Sequence, residues 1–299
     1  MEYFHSPVDG ISIAYDIFKA ENEKAVALFL TGRAEYFLKY EPFFNHLNNE
    51  GITVFAMDHR GQGASERMLE NQKKGYVEKF DHFIDDAAYF LKTKVTSEKK
   101  NDKPLFSISH SMGGAVSFLL EEKLKIFDKM VFTSPMWGIN FGHVPENIIH
   151  FLAKLFCALG KDKEFVPGKK EYDSNAPFEN NDLTHSLENF EKQVDFLKYN
   201  PDFTLGGPTN RWVVESIEAM KKIEKISPEF LTETLLLQAG ADTVVDNLRQ
   251  DKVLGNIKNG TKFVIEGALH EILNEEKVYY DQALNHILDF LLNSEAFSK

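Results

Sequence analysis

Apolar runs of strand length alternate with longer segments of helical periodicity along most of the chain. Runs rich in β-branched and aromatic residues predict strands at Ile11–Phe18, Ala25–Leu30, Ile52–Met57, Leu105–Ser109, Met130–Thr133, Thr234–Ala239 and Lys262–Glu266. Apolar residues at helical spacing predict helices at Tyr36–Glu50, Val77–Lys94, Gly113–Lys125, Asn247–Ile257 and Glu275–Leu292. This alternation is typical of a mostly parallel central sheet flanked by helices, so we predict the α/β class.

The alternation stops between Met136 and Ser227. Three helical patterns, Ile148–Leu159, Leu187–Leu197 and Arg211–Lys222, follow one another there without a strand-like run. We therefore expect a core formed by residues 1–135 and 228–299 and an inserted helical lid formed by residues 136–227. Ligands of open α/β sheets bind outside the carboxyl ends of the strands, so the lid is expected to cover that edge.

Composition and charge narrow the class of protein. Of the 299 residues, 43% are hydrophobic and 27% charged, as in ordinary globular domains. The formal net charge of -12 disfavours a nucleic-acid partner, because phosphate backbones are bound through basic surfaces. The single Cys157 excludes an intramolecular disulfide and a multi-cysteine zinc site. No signal-like segment or spanning apolar run is visible, so we predict a cytoplasmic protein.

Ser111 lies where a predicted strand passes directly into a predicted helix, in Ser109-His110-Ser111-Met112-Gly113. Such a turn exposes a nucleophilic serine, and its flanking residues must be small because the two backbones nearly touch. Gly113 meets that requirement. Ser109 departs from the G-x-S-x-G pattern, although its side chain is also small. An ordinary strand-to-helix turn is the alternative interpretation.

A serine nucleophile needs a base and a group that orients the base. Asp242 follows the strand Thr234–Ala239, and His270 follows the strand Lys262–Glu266, which gives the order Ser, Asp, His expected for a serine hydrolase of this sheet type. Asp246 is a rival for the acid, and His286, within the last helix, is the downstream alternative for the base. We predict Ser111, Asp242 and His270 as the catalytic residues.

The oxyanion of an acyl-transfer intermediate needs two N–H donors. One is expected from Met112, after the nucleophile, and the other from Arg33, in the loop after the strand Ala25–Leu30. Only the backbone of Arg33 is needed there, which leaves its side chain free to attract an anionic head group. Neither a cofactor nor a metal is predicted. Glu66 interrupts the glycine pattern after Asp58, and Asn274 replaces the second histidine of a zinc-protease motif.

Several motifs together resemble the bacterial lysophospholipases among the monoacylglycerol-lipase-like α/β-hydrolases. They are Gly32-Arg33-Ala34-Glu35-Tyr36 with Lys39-Tyr40, Asp58 to Ser65, His110 to Gly114, Val244-Val245-Asp246-Asn247, His270-Glu271, Leu183-Thr184-His185-Ser186, and Gly206-Gly207-Pro208-Thr209 with Trp212-Val213 and Glu215-Ser216. The resemblance runs from about residue 30 to residue 290. It implies an α/β-hydrolase fold, the catalytic and oxyanion residues predicted above, and a glycerol lipid with a single acyl chain as substrate.

Substrate contacts are expected from Gly32, His110, Met136 and Trp137, and His110 is also interpreted as a structural part of the turn.

The apolar segment from Ile148 to Leu159, followed by Lys161, Lys163, Lys169 and Lys170, is either a packed lid helix or a peripheral membrane contact on the inner face of the cell membrane. The open alternatives are a general carboxylesterase or aminopeptidase and a non-catalytic scaffold that binds a ligand or protein.

Overall fold

The computed structural model describes residues 1–98 and 103–292. Its core is one eight-stranded sheet in the order β1-β2-β4-β3-β5-β6-β7-β8. The strands are β1 (Glu2–His5), β2 (Ser12–Phe18), β3 (Ala25–Leu30), β4 (Ile52–Met57), β5 (Leu105–His110), β6 (Lys129–Thr133), β7 (Glu233–Ala239) and β8 (Gly260–Ile265). The pairs β1–β2 and β2–β4 are antiparallel, and all other pairs are parallel. The predicted fold class is therefore confirmed.

Helices cover both faces of the sheet. They are α1 (Glu41–Asn49), α2 (Asp81–Phe90), α3 (Thr96–Glu98), α4 (Met112–Leu124), α5 (Glu146–Ala158), α6 (Leu187–Tyr199), α7 (Asn210–Ile226), α8 (Asn247–Asn256) and α9 (Lys277–Leu292). The six residues of β3 are all buried and alternate between two cores. One core includes α2, α4, α7 and α8, and the other includes α1 and α9. This two-sided burial explains why β3 is apolar without interruption.

The observed elements differ from the predicted ones mainly at their ends. The predicted helix Tyr36–Glu50 is a 3₁₀ turn, Phe37–Tyr40, followed by α1, which has a proline in its first turn. The predicted helix Val77–Lys94 starts later, as α2, and continues into a π-helical turn at Leu91–Val95. Strand β1 was not predicted, because only Phe4 of its four residues is buried and so short a segment has no visible period.

The segment between β6 and β7 holds α5, α6 and α7. Helix α7 buries nine of its residues against the molecule, whereas α5 buries only His150 and Ala153. The two helices pack against each other, and α7 also contacts α4. No helix in residues 1–98 and 103–292 is both long and apolar enough to cross a membrane.

Candidate active site

Ser111 occupies a strained position between β5 and α4. Its φ of 49° and ψ of -117° are uncommon for a residue with a side chain. Two residues later, a Cβ built on Gly113 would overlap the carbonyl oxygen of Leu30 and lie 2.6 Å from that of Thr31. Only glycine therefore lets α4 pass this close to the end of β3. The turn holds the Ser111 hydroxyl at the carboxyl edge of the sheet.

Ser109 shows how the turn accommodates a residue other than glycine. Its hydroxyl is buried and lies 2.8 Å from the hydroxyl of Ser117, one to two turns into α4, and 3.3 Å from the carbonyl oxygen of Val131. A buried hydroxyl costs little when it is hydrogen-bonded. The departure from the glycine pattern is therefore matched by a second small polar residue on the facing helix.

Ser111, His270 and Asp242 form a continuous hydrogen-bonded chain. His270 Nε2 lies 2.9 Å from Ser111 Oγ, and His270 Nδ1 lies 2.7 Å from Asp242 Oδ2. Asp242 Oδ1 accepts hydrogen bonds from the backbone N–H groups of Val244 and Val245, at 2.8 and 3.1 Å. Burial acts to raise the pKa of Asp242, but the hydrogen bond and charge of His270 and these N–H groups outweigh it and hold the pKa below its usual value.

The two rival residues lie elsewhere. Asp246 accepts hydrogen bonds from the backbone N–H groups of Leu248 and Arg249 and so caps the N-terminus of α8. His286 lies within α9, where its ring stacks on Phe263 at a centroid distance of 3.9 Å. The structure therefore brings Asp242 and His270, rather than these alternatives, to Ser111.

The loop after β3 faces the Ser111 side chain. A Cβ on Gly32 would lie 3.1 Å from Ser111 Cβ. The backbone N–H of Arg33 has no acceptor among the described residues, and Met112, as the first residue of α4, has no helical acceptor for its own N–H. Gln62 braces this loop, because it donates to the carbonyl oxygen of Gly32 at 2.6 Å and accepts from the N–H of Ala34 at 3.2 Å.

A buried charge network lies behind this loop, and sequence reasoning missed it. Glu35 accepts hydrogen bonds from the N–H of Gly32 at 2.6 Å and from Tyr40 and Lys39 at 2.7 Å. Lys39 also pairs with Glu271, next to His270, at 2.6 Å. Burial acts to raise the pKa of Glu35, but the charge of Lys39 outweighs it and lowers the pKa to about 2. The network thus ties the loop after β3 to the loop that carries His270.

His110 lies between this network and His270. Its Nδ1 is 3.1 Å from the carbonyl oxygen of Thr133, and its ring centroid is 4.8 Å from that of His270. Burial lowers the pKa of His110 to about 4, so its ring is neutral at neutral pH. The ring therefore fills space beside His270 without adding a positive charge.

Ser111 and His270 line a cavity of about 760 Å³. Its lining is mostly apolar and includes Ile139, Phe141, Ile149, Leu152, Phe156 and Val213. Among the residues expected to contact substrate, Gly32, His110 and Met136 line it. Trp137 does not belong to the lining; it is fully buried against Phe118 and Phe132. An aromatic residue next to a site residue is not distinguishable from a core residue by sequence alone.

Two parts of the chain enclose this cavity. We call the segments at the carboxyl ends of β3, β5, β7 and β8, residues 31–35, 109–114, 240–246 and 267–275, the sheet wall. The segment between β6 and β7, residues 136–227, is the helical wall. The groups suited to proton transfer and oxyanion binding lie in the sheet wall, whereas most apolar lining residues belong to the helical wall.

A serine hydroxyl bonded to an imidazole, whose other nitrogen meets a buried carboxylate at the carboxyl edge of this sheet, defines a serine hydrolase of the α/β-hydrolase fold. The chain belongs to the family described as serine aminopeptidase, S33, whose model matches residues 21–277.

Individual relatives carry names that specify an activity. The chain is 33% identical over 292 residues to lysophospholipase L2 of Escherichia coli K12, covering 95% of this chain and 85% of the relative. It is 27% identical to the monoglyceride lipase of Mus musculus, covering 84% of this chain and 77% of the relative. The fold matches the crystal structure of a monoglyceride lipase variant from Saccharomyces cerevisiae, with a TM-score of 0.78, 18% identity, and coverage of 97% and 94% of the two chains.

Proposed function

We propose that the protein hydrolyses the carboxylic ester of a lipid with one acyl chain, a lysophospholipid or a monoacylglycerol. The observation that carries this proposal is the hydrogen-bonded chain of Ser111, His270 and Asp242 at one side of a largely apolar cavity. A cavity of about 760 Å³ with aliphatic and aromatic walls suits an acyl chain. The relatives named lysophospholipase and monoglyceride lipase support the same substrate class.

In the first half of the reaction, His270 Nε2 takes the proton from Ser111 as Oγ attacks the ester carbonyl. The backbone N–H groups of Arg33 and Met112 hold the oxyanion of the tetrahedral intermediate. Asp242 orients the imidazole and stabilises the imidazolium. When the ester bond breaks, His270 returns the proton to the leaving glycerol oxygen, which leaves the acyl group on Ser111.

In the second half, His270 takes a proton from water as the water oxygen attacks the acyl carbonyl. The bond to Ser111 Oγ then breaks, the proton returns from His270 to Oγ, and the fatty acid is released. We assign residues 136–227 the role of a lid over this site and residues 1–135 and 228–299 the role of the core. The apolar lining contributed by α5 supports that division.

The test is a substrate panel with wild-type protein and Ser111→Ala. The panel contains a lysophospholipid, a monoacylglycerol, a short nitrophenyl ester and an aminoacyl anilide. We expect hydrolysis of the acyl glycerolipids and loss of at least about 10³-fold in kcat in the variant. Preference for the anilide would indicate an aminopeptidase, and preference for the short ester a general carboxylesterase. Full activity and fluorophosphonate labelling of Ser111→Ala would contradict the role of Ser111. If the wild-type protein neither turned over any substrate nor reacted with the fluorophosphonate, a non-catalytic binding scaffold would be indicated.

We also propose a peripheral membrane contact through α5. Phe151 and Leu159 are 66% and 64% exposed, and Ile148 and Leu155 are 47% and 44% exposed. The adjacent stripe of the same helix lines the cavity through Ile149, Leu152 and Phe156. Exposed apolar residues next to a lipid-sized cavity fit a helix that lies on a membrane surface.

Liposome co-sedimentation tests this contact. We expect Phe151→Ser with Leu155→Ser to reduce binding, and glutamate at Lys161, Lys163, Lys169 and Lys170 to reduce binding to anionic vesicles. Val278→Ser is the matched control, because Val278 is 58% exposed on α9. Equal binding by the α5 variant and the control would contradict the proposal.

A further inference from the structure

The side chain of Arg33 is a cation in the cavity wall with few partners. One of its terminal nitrogens donates a hydrogen bond to the carbonyl oxygen of Gly206, and its guanidinium carbon lies 5.2 Å from the ring centroid of Trp212. The Nε atom is buried without a hydrogen-bond partner. Among residues 1–98 and 103–292, no carboxylate oxygen lies within 4.0 Å of this guanidinium. The Arg33 side chain therefore has donors to offer a ligand.

Other arginine side chains have partners for their charge or for their N–H donors. Arg60 pairs with Asp86 at 2.7 Å, and Arg249 pairs with Glu224 at 3.1 Å. Arg67 has no carboxylate partner among the described residues, but it donates to three backbone carbonyl oxygens and does not line the cavity. Arg33 combines an incomplete set of partners with a place beside Ser111.

The Arg33 side chain is nevertheless charged under ordinary conditions. Burial lowers its pKa to about 10, so it remains protonated at neutral pH. A buried cation without a counter-charge is costly, and an anionic ligand would remove that cost. An arginine also offers paired N–H donors that match the oxygens of a phosphate.

A second basic residue, Lys169, adjoins the glycine that follows the Arg33 acceptor. Lys169 also lines the cavity, and a Cβ on Gly207 would lie 2.5 Å from Lys169 Cβ. Arg33 bonds to Gly206, so both cations adjoin the same pair of glycines. Two of the acids that line the cavity, Glu35 and Glu271, both pair with Lys39.

Asp182, a third acid of the lining, is exposed. The lining beside Gly206 and Gly207 therefore carries the buried charge of Arg33, while the exposed Lys169 and Glu171 both adjoin these glycines. The field of the Arg33 guanidinium favours an anion over a neutral group of the same size.

We propose that the guanidinium of Arg33 binds the phosphate of a lysophospholipid, while the backbone N–H of the same residue serves the oxyanion. Gly32, the preceding residue, approaches Ser111 within van der Waals contact, so the Arg33 side chain starts at the reacting centre and extends along the cavity wall. This inference rests on the proposed ester hydrolysis and adds that phosphate-bearing esters are preferred to neutral ones.

The test compares two substrates with the same acyl chain, 1-oleoylglycerol 3-phosphate and 1-oleoylglycerol. We expect Arg33→Met to lower the ratio of kcat/KM for the phosphate ester to kcat/KM for the neutral ester at least tenfold, and Arg33→Lys to lower it less. The ratio cancels any general loss of activity caused by disturbing the loop. Arg211→Met is the matched control, because Arg211 does not line the cavity. An unchanged ratio in Arg33→Met, or an equal fall in the control, would overturn the proposal.

A binding measurement separates this inference from the proposed reaction. Calorimetry with 1-O-octylglycerol 3-phosphate and 1-O-octylglycerol uses ethers that no esterase cleaves. We expect wild-type protein to bind the phosphate ether at least tenfold more tightly and Arg33→Met to bind both alike. If Arg33→Met does not fold, the inference is tested by the wild-type comparison and by Lys169→Met. We expect Lys169→Met to weaken binding of the phosphate ether about two- to threefold. Equal wild-type affinities would overturn the inference whether or not any ester is hydrolysed.

Discussion

The sheet wall and the helical wall of the cavity differ in how firmly their side chains are held. In the sheet wall, Ser111 is 7% and His270 4% exposed, and both lie in hydrogen-bonded networks. In the helical wall, α7 is well buried, but α5 buries only two residues and its Phe151 is 66% exposed. Chemistry demands fixed distances, whereas a lipid chain demands only an apolar surface. The contrast fits the proposal that the sheet wall carries the reaction and the helical wall accommodates the substrate.

The largest effect is expected at Asp242. Asp242→Asn should lower kcat about 10⁴-fold, because an amide cannot hold the His270 tautomer that accepts the Ser111 proton. Asp246→Asn is the matched control, and it should leave kcat and stability nearly unchanged because asparagine caps helices about as well as aspartate. Steady-state hydrolysis of a nitrophenyl ester measures both. A similar loss in the two variants would contradict the assignment of Asp242.

The next effect concerns glycines in the two walls. Gly113→Ala should cost more than about 4 kcal/mol or prevent folding, because the new Cβ meets the backbone of Leu30 and Thr31, which cannot rotate away. Gly160→Ala, at the end of α5, should cost only about 1–2 kcal/mol, because its Cβ meets open space and only the φ of 75° is unfavourable.

Urea unfolding followed by circular dichroism measures both costs. Comparable losses for Gly113→Ala and Gly160→Ala would show that the sheet wall is no more tightly packed than the helical wall.

The sequence predicts a feature of either wall when the feature depends on residues that are close together along the chain. β3 is recognisable because both of its faces are buried, and Ser111, Asp242 and His270 are recognisable because each follows a strand in a known order. Each of these signals is local, because it lies within a few residues of the strand on which it depends. The helices of residues 136–227 were also predicted from their periodicity, although that says nothing of which face meets the cavity.

The remaining features depend on contacts between distant parts of the chain. Glu35 and Lys39 are four residues apart, a spacing that also describes an exposed helical ion pair, and nothing local shows that Glu271 completes a buried network. Trp137 was expected in the cavity but packs in the core. The Ser109–Ser117 contact likewise joins a strand to a helix and is visible only once both are placed.

A smaller effect is expected from breaking the buried ion pair of Lys39. Lys39→Met leaves Glu35 and Glu271 buried together without a cation, and it should cost about 3–5 kcal/mol. Lys192→Met removes an exposed pair with Glu188 in the helical wall and should cost less than about 0.5 kcal/mol. Equal free energies of unfolding for the two variants would show that the ion pair beside the sheet wall stabilises the protein no more than the exposed pair of the helical wall.

The pH dependence of the Lys39 effect has a definite sign. In the wild type the pKa of Glu35 is held at about 2, so its stabilising contribution is complete above its unfolded pKa and is lost as the pH falls from about 4.5 to 2. Without Lys39, the main charge that opposes burial is lost, so the pKa of Glu35 rises although the Gly32 N–H and Tyr40 still donate to it, and the folded variant holds a proton that the wild type has lost. The cost of Lys39→Met should therefore grow as the pH rises from 4 to 8. A cost that is independent of pH would contradict a charge-based role.

The smallest effect is expected inside the sheet wall, at its departure from the glycine pattern. Ser109→Ala should cost about 1 kcal/mol, because it leaves the buried Ser117 hydroxyl with only the carbonyl oxygen of Gly114, 3.4 Å away. The double variant with Ser117→Ala should recover most of that loss, because both hydroxyls are then removed and no buried hydroxyl is left without a partner. A double-mutant cycle in urea measures this coupling. The kcat should change less than about twofold, because the hydroxyl of Ser109 faces α4 rather than Ser111. A tenfold loss of kcat at unchanged stability would instead place Ser109 within the reacting site.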